Sequence, residues 1–508
     1  DIISNRIMSA LFRTIETPNG KTLEQPLGLF IDNEWVKTNR TFETINPSTG
    51  EAICHVYRAG VQEVNDAVEA ANRAFRNESW SGLTGSQRGD LLYRMYQVIK
   101  RDAESIASIE SIDNGKPYAA ECLDGDLGEA ADVFKYYAGW ADKITGELIG
   151  SSVLGKNKMC YVEPTPLGAV GGIVPWNFPF TMMAWKIAPA LATGCTVVMK
   201  SSEVTPLTAL WYGKIALEVG LPKGVLNILS GFGSDVGSAM ASHPKLAKIA
   251  FTGSTATGKK IMEAAGGSNL KKVTLECGGK SPYIVFDDAD LELAVEWAYW
   301  GIWYNKGEVC TSTSRFLIQE DIYDKFVESF VELTKTRAIT ADPFDDRCTI
   351  GPLVSSSQYE KVKKYVEIGK NEGAKLLTGK FIDGPGYFCE PFIFSECTDD
   401  MTIMKEEIFG PVVGITKFST VKEAIERANA TTYGLGAALF SSNITKAHSV
   451  AAKLEAGMVW INSNGDSDIH IPFGGSKMSG IGRELGPYAL DLFTEKKAVH
   501  VNLSLPVK

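Results

Sequence analysis

The sequence predicts an α/β fold made of two units, each with a parallel β-sheet covered by helices. Short apolar segments bounded by turns alternate with helical stretches after Gly168, and a second series of the same kind follows Cys310. Strands that alternate with helices at this spacing pair in parallel and are buried on both faces. At 508 residues the chain is also too long for a single hydrophobic core.

The segment before Gly168 is predicted to be mainly helical. It begins with a strand at residues 29–36 and a turn at 46–50, after which apolar residues recur every three or four positions in three stretches. This periodicity is typical of helices that bury one face. The predicted helices cover residues 61–75, 91–112 and 126–143.

The two alternating series supply the predicted sheets. In the first series, strands are predicted at residues 169–175, 196–200, 225–229, 249–252 and 283–286, with a helix at 206–219. The second series runs through Phe316, Leu376, Val412 and Val459 to Phe473. Residues 149–163 and the tail after Pro487 fit neither series, and a plain surface hairpin and a frayed tail are one interpretation of them.

Composition indicates an ordinary globular protein. Apolar residues make up 44% and charged residues 22% of the chain, and the net charge is −10. An acidic balance disfavours nucleic acid or an anionic membrane as the main partner. No apolar stretch reaches the roughly 18 residues of a membrane-spanning helix, so none is expected.

Cysteine and histidine usage indicates a reducing compartment and no metal. The nine cysteines are irregularly spaced without a C-x-x-C, and none of the five histidines has the spacing of a metal ligand. We therefore expect no disulfide framework and a cytoplasmic location. The mitochondrial matrix stays an alternative, since a targeting segment could already have been removed.

Two glycine-rich turns are candidates for a phosphate site. One spans residues 231–237 and includes Gly233, and the other spans 251–258 and includes Gly253 and Ser254. Helix N-termini at the carboxyl edge of a parallel sheet offer unpaired N–H groups to phosphates. Either turn alone is a weak signal, because glycine turns before helices are common and mostly structural.

Cys310 lies in a segment whose composition suits a reaction centre. It follows a glycine among small and polar residues at 304–312, and upstream Glu276 precedes the double glycine 278–279. A thiol nucleophile needs a base and a donor for the oxyanion, and Glu276 and Asn177 have the chemical types for these roles. Taken singly, each could equally be structural: a buried cysteine, a salt-bridge partner and a turn residue.

These segments, in this order and separation, resemble the aldehyde dehydrogenase superfamily from about Pro26 to Val501. The likeness is to the eukaryotic cytosolic and mitochondrial members, with some likeness to betaine and aminoaldehyde dehydrogenases around residues 300–315. The resemblance implies a Rossmann-like NAD-binding domain (16–147 and 167–278) and a catalytic domain (279–478). It also implies a small β oligomerisation element (148–166 and 486–508) in a homotetramer, with a dimer as the alternative.

The cofactor implied by the resemblance is NAD. Ser254 and the backbone near Gly233 and Gly253 would meet the pyrophosphate, and Lys200 and Glu203 would hold the adenosine ribose. A carboxylate accepts hydrogen bonds from ribose hydroxyls and repels a 2′-phosphate, so Glu203 favours NAD over NADP. The family's remaining positions for the nicotinamide side of the cofactor fall on Trp176, Glu407 and Phe409.

The resemblance also implies catalytic roles. Cys310 would be the nucleophile, with its thiolate fraction raised by local dipoles or a neighbouring base, and Asn177 would donate to the oxyanion. Glu276 would activate the water that cleaves the thioester. Lys186 and Glu484 match positions linked to proton transfer and site organisation. Glu308 stands where many members have glutamine, and we expect its carboxylate to point away from the thiol.

The substrate predicted from the resemblance is an aliphatic or aromatic aldehyde, which suits a tunnel with an aromatic and apolar lining. Asp466 and Asp468, if they approached Trp300, would favour a cationic aldehyde instead. A CoA-acylating relative or a catalytically silent structural member would have the same fold. Glu276 argues against the first, because transfer to CoA needs no activated water, and the presence of Cys310, Asn177 and Glu276 argues against the second. The predicted tunnel residues are Phe178, Met182, Trp185, Tyr304, Val309, Thr311 and Phe473.

Overall fold

The computed structural model describes residues 10–504, and its strands and helices alternate along most of the chain. The strands are Phe12–Glu16 (β1), Thr22–Pro26 (β2), Leu29–Ile31 (β3), Glu34–Val36 (β4), Thr41–Ile45 (β5), Ala52–Tyr57 (β6), Glu147–Ile149 (β7), Lys158–Pro166 (β8), Ala169–Ile173 (β9), Thr196–Lys200 (β10), Leu226–Leu229 (β11), Lys248–Thr252 (β12), Lys272–Glu276 (β13), Pro282–Val285 (β14), Arg315–Gln319 (β15), Lys375–Thr378 (β16), Phe392–Ser395 (β17), Val412–Phe418 (β18), Gly436–Phe440 (β19), Met458–Ile461 (β20), Gly480–Ile481 (β21) and Thr494–Asn502 (β22). The α-helices are Val61–Arg76, Glu78–Ser81, Gly85–Asn114, Gly128–Trp140, Ser151–Leu154, Pro179–Thr193, Trp211–Val219, Ser238–Ser242, Thr255–Gly266, Leu291–Trp303, Tyr323–Arg337, Ser356–Asn371, Thr402–Lys405, Val421–Asn429, Ile444–Ala451 and Tyr488–Asp491.

The first large sheet has eight strands in the order β21-β13-β12-β9-β10-β11-β3-β4. Its five central strands, β9 to β13, are mutually parallel, and antiparallel strands close both edges. The central strands are apolar and largely buried, as expected where helices cover both faces. The predicted α/β fold class is confirmed.

The strand predicted at residues 29–36 is wrong, because this segment is a hairpin. β3 and β4 pair antiparallel around Asp32 and Asn33, which both have positive φ angles of 55° and 61°. Two left-handed residues in a two-residue loop suit the twist of a tight hairpin, and Asp and Asn adopt this conformation more readily than most residues.

The second large sheet has seven strands in the order β16-β17-β18-β15-β14-β19-β20, parallel except for β16. The strand predicted at 283–286 is β14, and its assignment to the first series is wrong. It pairs with β15 and β19, so the chain enters the second sheet directly after Glu276. The short segment 277–281 therefore connects the last parallel strand of the first sheet to the second sheet.

A small antiparallel sheet combines residues that fitted neither series. β22 pairs along its whole length with β8, which also pairs with β7. Strand β22 thus pairs with the hairpin formed by β7 and β8. The part of the predicted oligomerisation element beyond residue 504 lies outside the described residues. Several apolar side chains of this region are exposed, among them Leu148, Val153 and Tyr161.

The predicted helices are present with shifted ends. The helix predicted at 91–112 begins at Gly85, because Thr84 and Gln87 form a capping box there. The helix predicted at 126–143 runs from Gly128 to Trp140 after a π-helical segment, Tyr118–Leu127. The helix predicted at 206–219 is a 3₁₀ turn followed by Trp211–Val219.

Helix Pro179–Thr193 is buried on all sides and carries side chains into the centre of the molecule. Proline is tolerated in its first turn, and it ends at Gly194, whose φ is 92°. None of its residues is exposed, which explains its continuous apolar sequence. In the part of the chain that the structure describes, no helix is both long and apolar enough to cross a membrane.

Candidate active site

A cavity of about 640 Å³ lies where the two sheets meet. Its walls come from the loop after β9, the buried helix Pro179–Thr193, the ends of β12 and β13, and the segment around Cys310. Because parallel strands end at one edge of a sheet, these separated segments reach the same place.

Cys310 differs from the other cysteines in its exposure. Eight of the nine are buried, whereas Cys310 is partly exposed and lines the cavity. Its segment turns through three consecutive left-handed residues, Asn305, Lys306 and Gly307. A side chain at 307 would place its Cβ 2.4 Å from the Gly410 carbonyl oxygen, so glycine is required there.

A buried ion pair holds this turn. Lys306 Nζ lies 3.2 Å from a Glu308 carboxylate oxygen and donates to the Asn114 side chain at 3.1 Å. The other Glu308 oxygen accepts the Val354 N–H at 3.2 Å. These contacts direct the Glu308 carboxylate to Lys306 and Val354, in accord with the expected orientation away from the thiol. Asn305 and Lys306 need such support, because a left-handed backbone conformation costs a non-glycine residue roughly 1–3 kcal/mol of folding free energy.

The surroundings of Cys310 favour the protonated form of its thiol. Burial raises its pKa well above the ordinary value, and the carboxylates of Glu276 and Glu407 raise it further. This differs from the expected increase in thiolate fraction, because burial and two acids outweigh the local backbone N–H groups. Attack by the thiol therefore requires a group that accepts its proton.

Asn177 packs directly against the Cys310 segment on the cavity wall. Its side-chain Nδ2 donates to the Glu308 carbonyl oxygen at 2.9 Å, and its backbone oxygen accepts from Asn305 Nδ2 at 3.0 Å. An amide nitrogen has two hydrogens, so one N–H remains for an atom in the cavity. This arrangement can stabilise negative charge that develops next to Cys310.

Glu276 ends β13 as a buried carboxyl on the cavity wall. Its Oε1 has no hydrogen-bond partner among the described residues. Burial raises the pKa of Glu276 well above its usual range, and the neighbouring Glu484 raises it further, whereas Lys186 lowers it. Lys186 Nζ in turn lies 2.5 Å from Glu484 Oε1 and 2.6 Å from Thr252 Oγ1. These side chains thus form one buried polar set.

Glu407 lies against the double glycine that follows β13. Its Oε1 accepts the Gly279 N–H at 3.0 Å, and a Cβ at Gly278 would lie 2.1 Å from its Oε2. Glycine at 278 therefore leaves room for this carboxylate. Two residues on, Phe409 has a positive φ of 60°, and its ring meets Trp176 edge-on at 5.2 Å.

The predicted pyrophosphate and ribose residues lie at the carboxyl edge of the first sheet. Gly253 and Ser254 line the cavity, and Ser254 caps helix Thr255–Gly266. Lys200 Nζ is 3.1 Å from Glu203 Oε2 at the end of β10. These two residues and Gly233, which begins the π-helical turn after β11, do not line the cavity.

All seven predicted tunnel residues line the same cavity, together with residues that sequence reasoning did not select. The aromatic wall includes a stacked pair, Phe178 and Tyr304, with ring centroids 6.2 Å apart, and an edge-on pair, Trp185 and Phe473, at 4.9 Å. The additional lining residues include Glu129, Thr181, Cys277, Trp297, Gln358, Lys361 and Asn464. No sequence motif marks these positions; the approach of distant segments brings them to the cavity.

The two aspartates considered for a cationic substrate lie outside the cavity. Asp466 and Asp468 are exposed, and Asp468 binds the His470 backbone and ring. Trp300 lines the cavity. The residues around the aspartates, Gly465 and Ser467, reach the cavity wall instead.

The Aldehyde dehydrogenase family model matches residues 35–499. The chain belongs to the aldehyde dehydrogenase family. This confirms the resemblance and the prediction of an enzyme of that family. Among the described residues no group of three or more His, Cys, Asp or Glu side chains is placed to hold a metal ion.

Three relatives extend this finding over nearly the whole chain. An aldehyde dehydrogenase of Saccharomyces cerevisiae, named for NAD(P)+, is 46% identical over 98% of this chain and 100% of its own. The NAD+ complex of aldehyde dehydrogenase from Bacillus cereus has a TM-score of 0.92 at 44% identity, covering 94% of this chain and 97% of that one. Betaine aldehyde dehydrogenase from Staphylococcus aureus in complex with NAD+ also has a TM-score of 0.92, at 40% identity over 95% and 96%.

Proposed function

We propose that the protein oxidises aldehydes to carboxylic acids with NAD, through a covalent intermediate on Cys310. The observation that carries this proposal is the meeting of three groups in one cavity. Cys310 is the one cysteine that is not buried, Asn177 has a free amide N–H beside it, and Glu276 has an unpaired carboxyl oxygen. A nucleophile, an oxyanion donor and a base are the groups that acyl chemistry requires.

Each residue has a defined task in this mechanism. The Cys310 thiol releases its proton to solvent water in the cavity and its sulfur attacks the carbonyl carbon, while Asn177 and the Cys310 backbone N–H stabilise the oxyanion of the thiohemiacetal. After oxidation to the thioester, Glu276 removes a proton from water, which attacks the acyl carbon and releases the carboxylate. The thiol is then regenerated. Lys186 and Glu484 are proposed to position Glu276 and to relay its proton.

The cavity suits NAD as the oxidant. Glu407 has room over Gly278, Ser254 caps a helix N-terminus at the sheet edge, and Lys200 and Glu203 pair at the end of β10, two strands from β12 in the same sheet. These residues would hold ribose hydroxyls and phosphates, with Trp176 and Phe409 beside the ring. When bound, NAD supplies the hydride acceptor. Glu203 supports NAD over NADP, because its carboxylate repels a 2′-phosphate.

We further propose a homotetramer, formed through the small sheet β7, β8 and β22. Leu148, Val153 and Tyr161 of this region are exposed, and Leu148 and Tyr161 lie opposite each other on β7 and β8. This supports the assignment, because neighbouring exposed apolar side chains commonly mark interfaces. Gel filtration tests it: a tetramer is expected, and a monomer would overturn it. A cytoplasmic location and the domain boundaries given above stay predictions.

The activity is tested by following NADH absorbance with a panel of aliphatic, aromatic and cationic aldehydes, with NAD and then NADP. We expect NADH formation that requires aldehyde and is lost in Cys310→Ala. A protein that binds NAD yet oxidises none of the aldehydes would be a silent member of the family, and the proposal would then be wrong.

A further inference from the structure

Glu129 is an acidic side chain in the aromatic part of the cavity. It lies at the start of helix Gly128–Trp140, lines the cavity and is partly exposed. The aromatic residues on the same wall are Phe178, Trp185, Trp297, Trp300, Tyr304 and Phe473. A carboxylate among aromatic rings is costly unless something compensates its charge.

Few groups among the described residues compensate the negative charge of Glu129. Trp185 Nε1 donates to Glu129 Oε1 at 2.8 Å, and the structure records no other hydrogen bond to this carboxylate. No lysine or arginine of residues 10–504 pairs with it, since the nearby Lys116 is engaged by Asp126 instead. One oxygen of Glu129 is therefore available to a ligand in the cavity.

We propose that Glu129 recognises a positively charged group on the substrate, so that aldehydes carrying an ammonium group are preferred. This inference rests on the proposed function, because it names the substrate class of the same cavity. The carboxylate would attract the cation, and the surrounding aromatic faces would add cation–π attraction. A neutral aldehyde would leave the charge of Glu129 uncompensated among the aromatic side chains.

Ionisation of Glu129 makes this preference depend on pH. Burial raises the pKa of Glu129 to about 7, and Asp126 and Asp132 raise it too, whereas Lys116 and the Trp185 hydrogen bond lower it. Tyr304 lines the same cavity, and the pKa of its phenol is raised by burial and then by Asp126, Glu121 and Glu129. Glu129 is protonated well below this value and ionised above it, so cation preference should increase with pH.

The competing interpretation is that Glu129 stays neutral and serves only to orient Trp185. Glu129→Gln separates the two, because glutamine keeps the size of the side chain and an acceptor oxygen for Trp185 while removing the charge. Asp466→Asn is the matched control. It removes an exposed acid of the neighbouring loop that does not line the cavity.

The experiment compares kcat/KM for betaine aldehyde with that for its neutral analogue, in which carbon replaces the quaternary nitrogen. The two have nearly the same shape, and their intrinsic reactivities cancel when variants are compared. We expect Glu129→Gln to lower the betaine-to-neutral ratio at least about tenfold, equivalent to about 1.4 kcal/mol. Asp466→Asn should leave the ratio unchanged.

An unchanged ratio in Glu129→Gln, with both aldehydes still oxidised through Cys310, would overturn the inference while the proposed function stands. Oxidation of neither aldehyde by a wild type that oxidises another aldehyde of the panel would also overturn the inference alone, and oxidation of no aldehyde at all would overturn both. If Glu129→Gln does not fold, the wild-type ratio decides: it should rise from about pH 6 to about pH 8.5. A flat ratio over that range would reject a role for the Glu129 charge.

Discussion

Replacing Asn177 by alanine should separate catalysis from stability. The Asn177 side chain donates one N–H to the Glu308 carbonyl at 2.9 Å and leaves the other for the cavity. Loss of an oxyanion donor typically costs about 10²–10³ in rate, or about 2.7–4 kcal/mol of transition-state stabilisation. Loss of a neutral internal hydrogen bond costs only about 1 kcal/mol of folding free energy.

The variant should therefore remain folded and lose most of its activity. Steady-state NADH formation gives kcat/KM, and thermal unfolding gives Tm, for which we expect a decrease of about 4 °C at most. The Glu308 carbonyl keeps a longer contact with Asn305 Nδ2 at 3.4 Å, which limits the structural damage.

Asn227→Ala is the matched control, because Asn227 is also a fully buried amide. Its Nδ2 donates to the carbonyls of Val197 and Gly224, away from the cavity. We expect this variant to lose stability and to keep the kcat/KM of the wild type. The reasoning is refuted if Asn177→Ala is folded and its kcat/KM falls by less than about tenfold.

Three further predictions follow from named contacts. Glu276→Gln should give a rapid burst of NADH, equal to the enzyme concentration, followed by slow turnover, because thioester hydrolysis lacks its base. Rapid-mixing kinetics measures the burst and the slow phase separately. An equal loss of both phases would contradict this role of Glu276. Gly278→Ala should raise the KM for NAD with little change in Tm. The alanine Cβ would lie 2.1 Å from Glu407 Oε2 and would displace the flexible Glu407 side chain. An unchanged KM for NAD would count against Glu407 as a ribose ligand. Burial raises the pKa of Asp113 to about 7. Between about pH 4 and about pH 7 the folded protein therefore holds a proton on Asp113 that the unfolded chain releases. The contribution of this proton to the free energy of unfolding is lost as pH rises through that range. Asp113→Asn should therefore reduce the fall of Tm over that range, and Tm curves parallel to those of the wild type would reject this.

The parallel strands could be predicted because they are short, apolar and separated by periodic helices. The apolar pattern of the sequence does not reveal a tight turn inside a segment that resembles one strand. Asp32 and Asn33 form such a turn, so the predicted strand is a hairpin. The apolar pattern also fails at β14, since periodicity identifies a strand but not the sheet it joins. The π-helical segment Tyr118–Leu127 has no distinct sequence signal, because its buried acids resemble those of a solvated helix face.

The candidate site was predictable where it follows family motifs and not where it depends on packing. The predicted catalytic residues and tunnel residues came from motifs whose order is preserved along the chain. Glu129 has no such motif, and only the closure of the cavity brings it into the aromatic wall. The raised pKa of Cys310 likewise depends on burial and on carboxylates from distant segments.

The central claim is that the acyl group passes through Cys310. The most direct test is to incubate Glu276→Gln with aldehyde and NAD, quench the reaction, and map the acyl adduct on peptides by mass spectrometry. Cys277 is a second thiol on the cavity wall and serves as an internal control. The mechanism predicts an acyl thioester on Cys310 alone; an adduct on Cys277, or NADH released without any adduct, would contradict it.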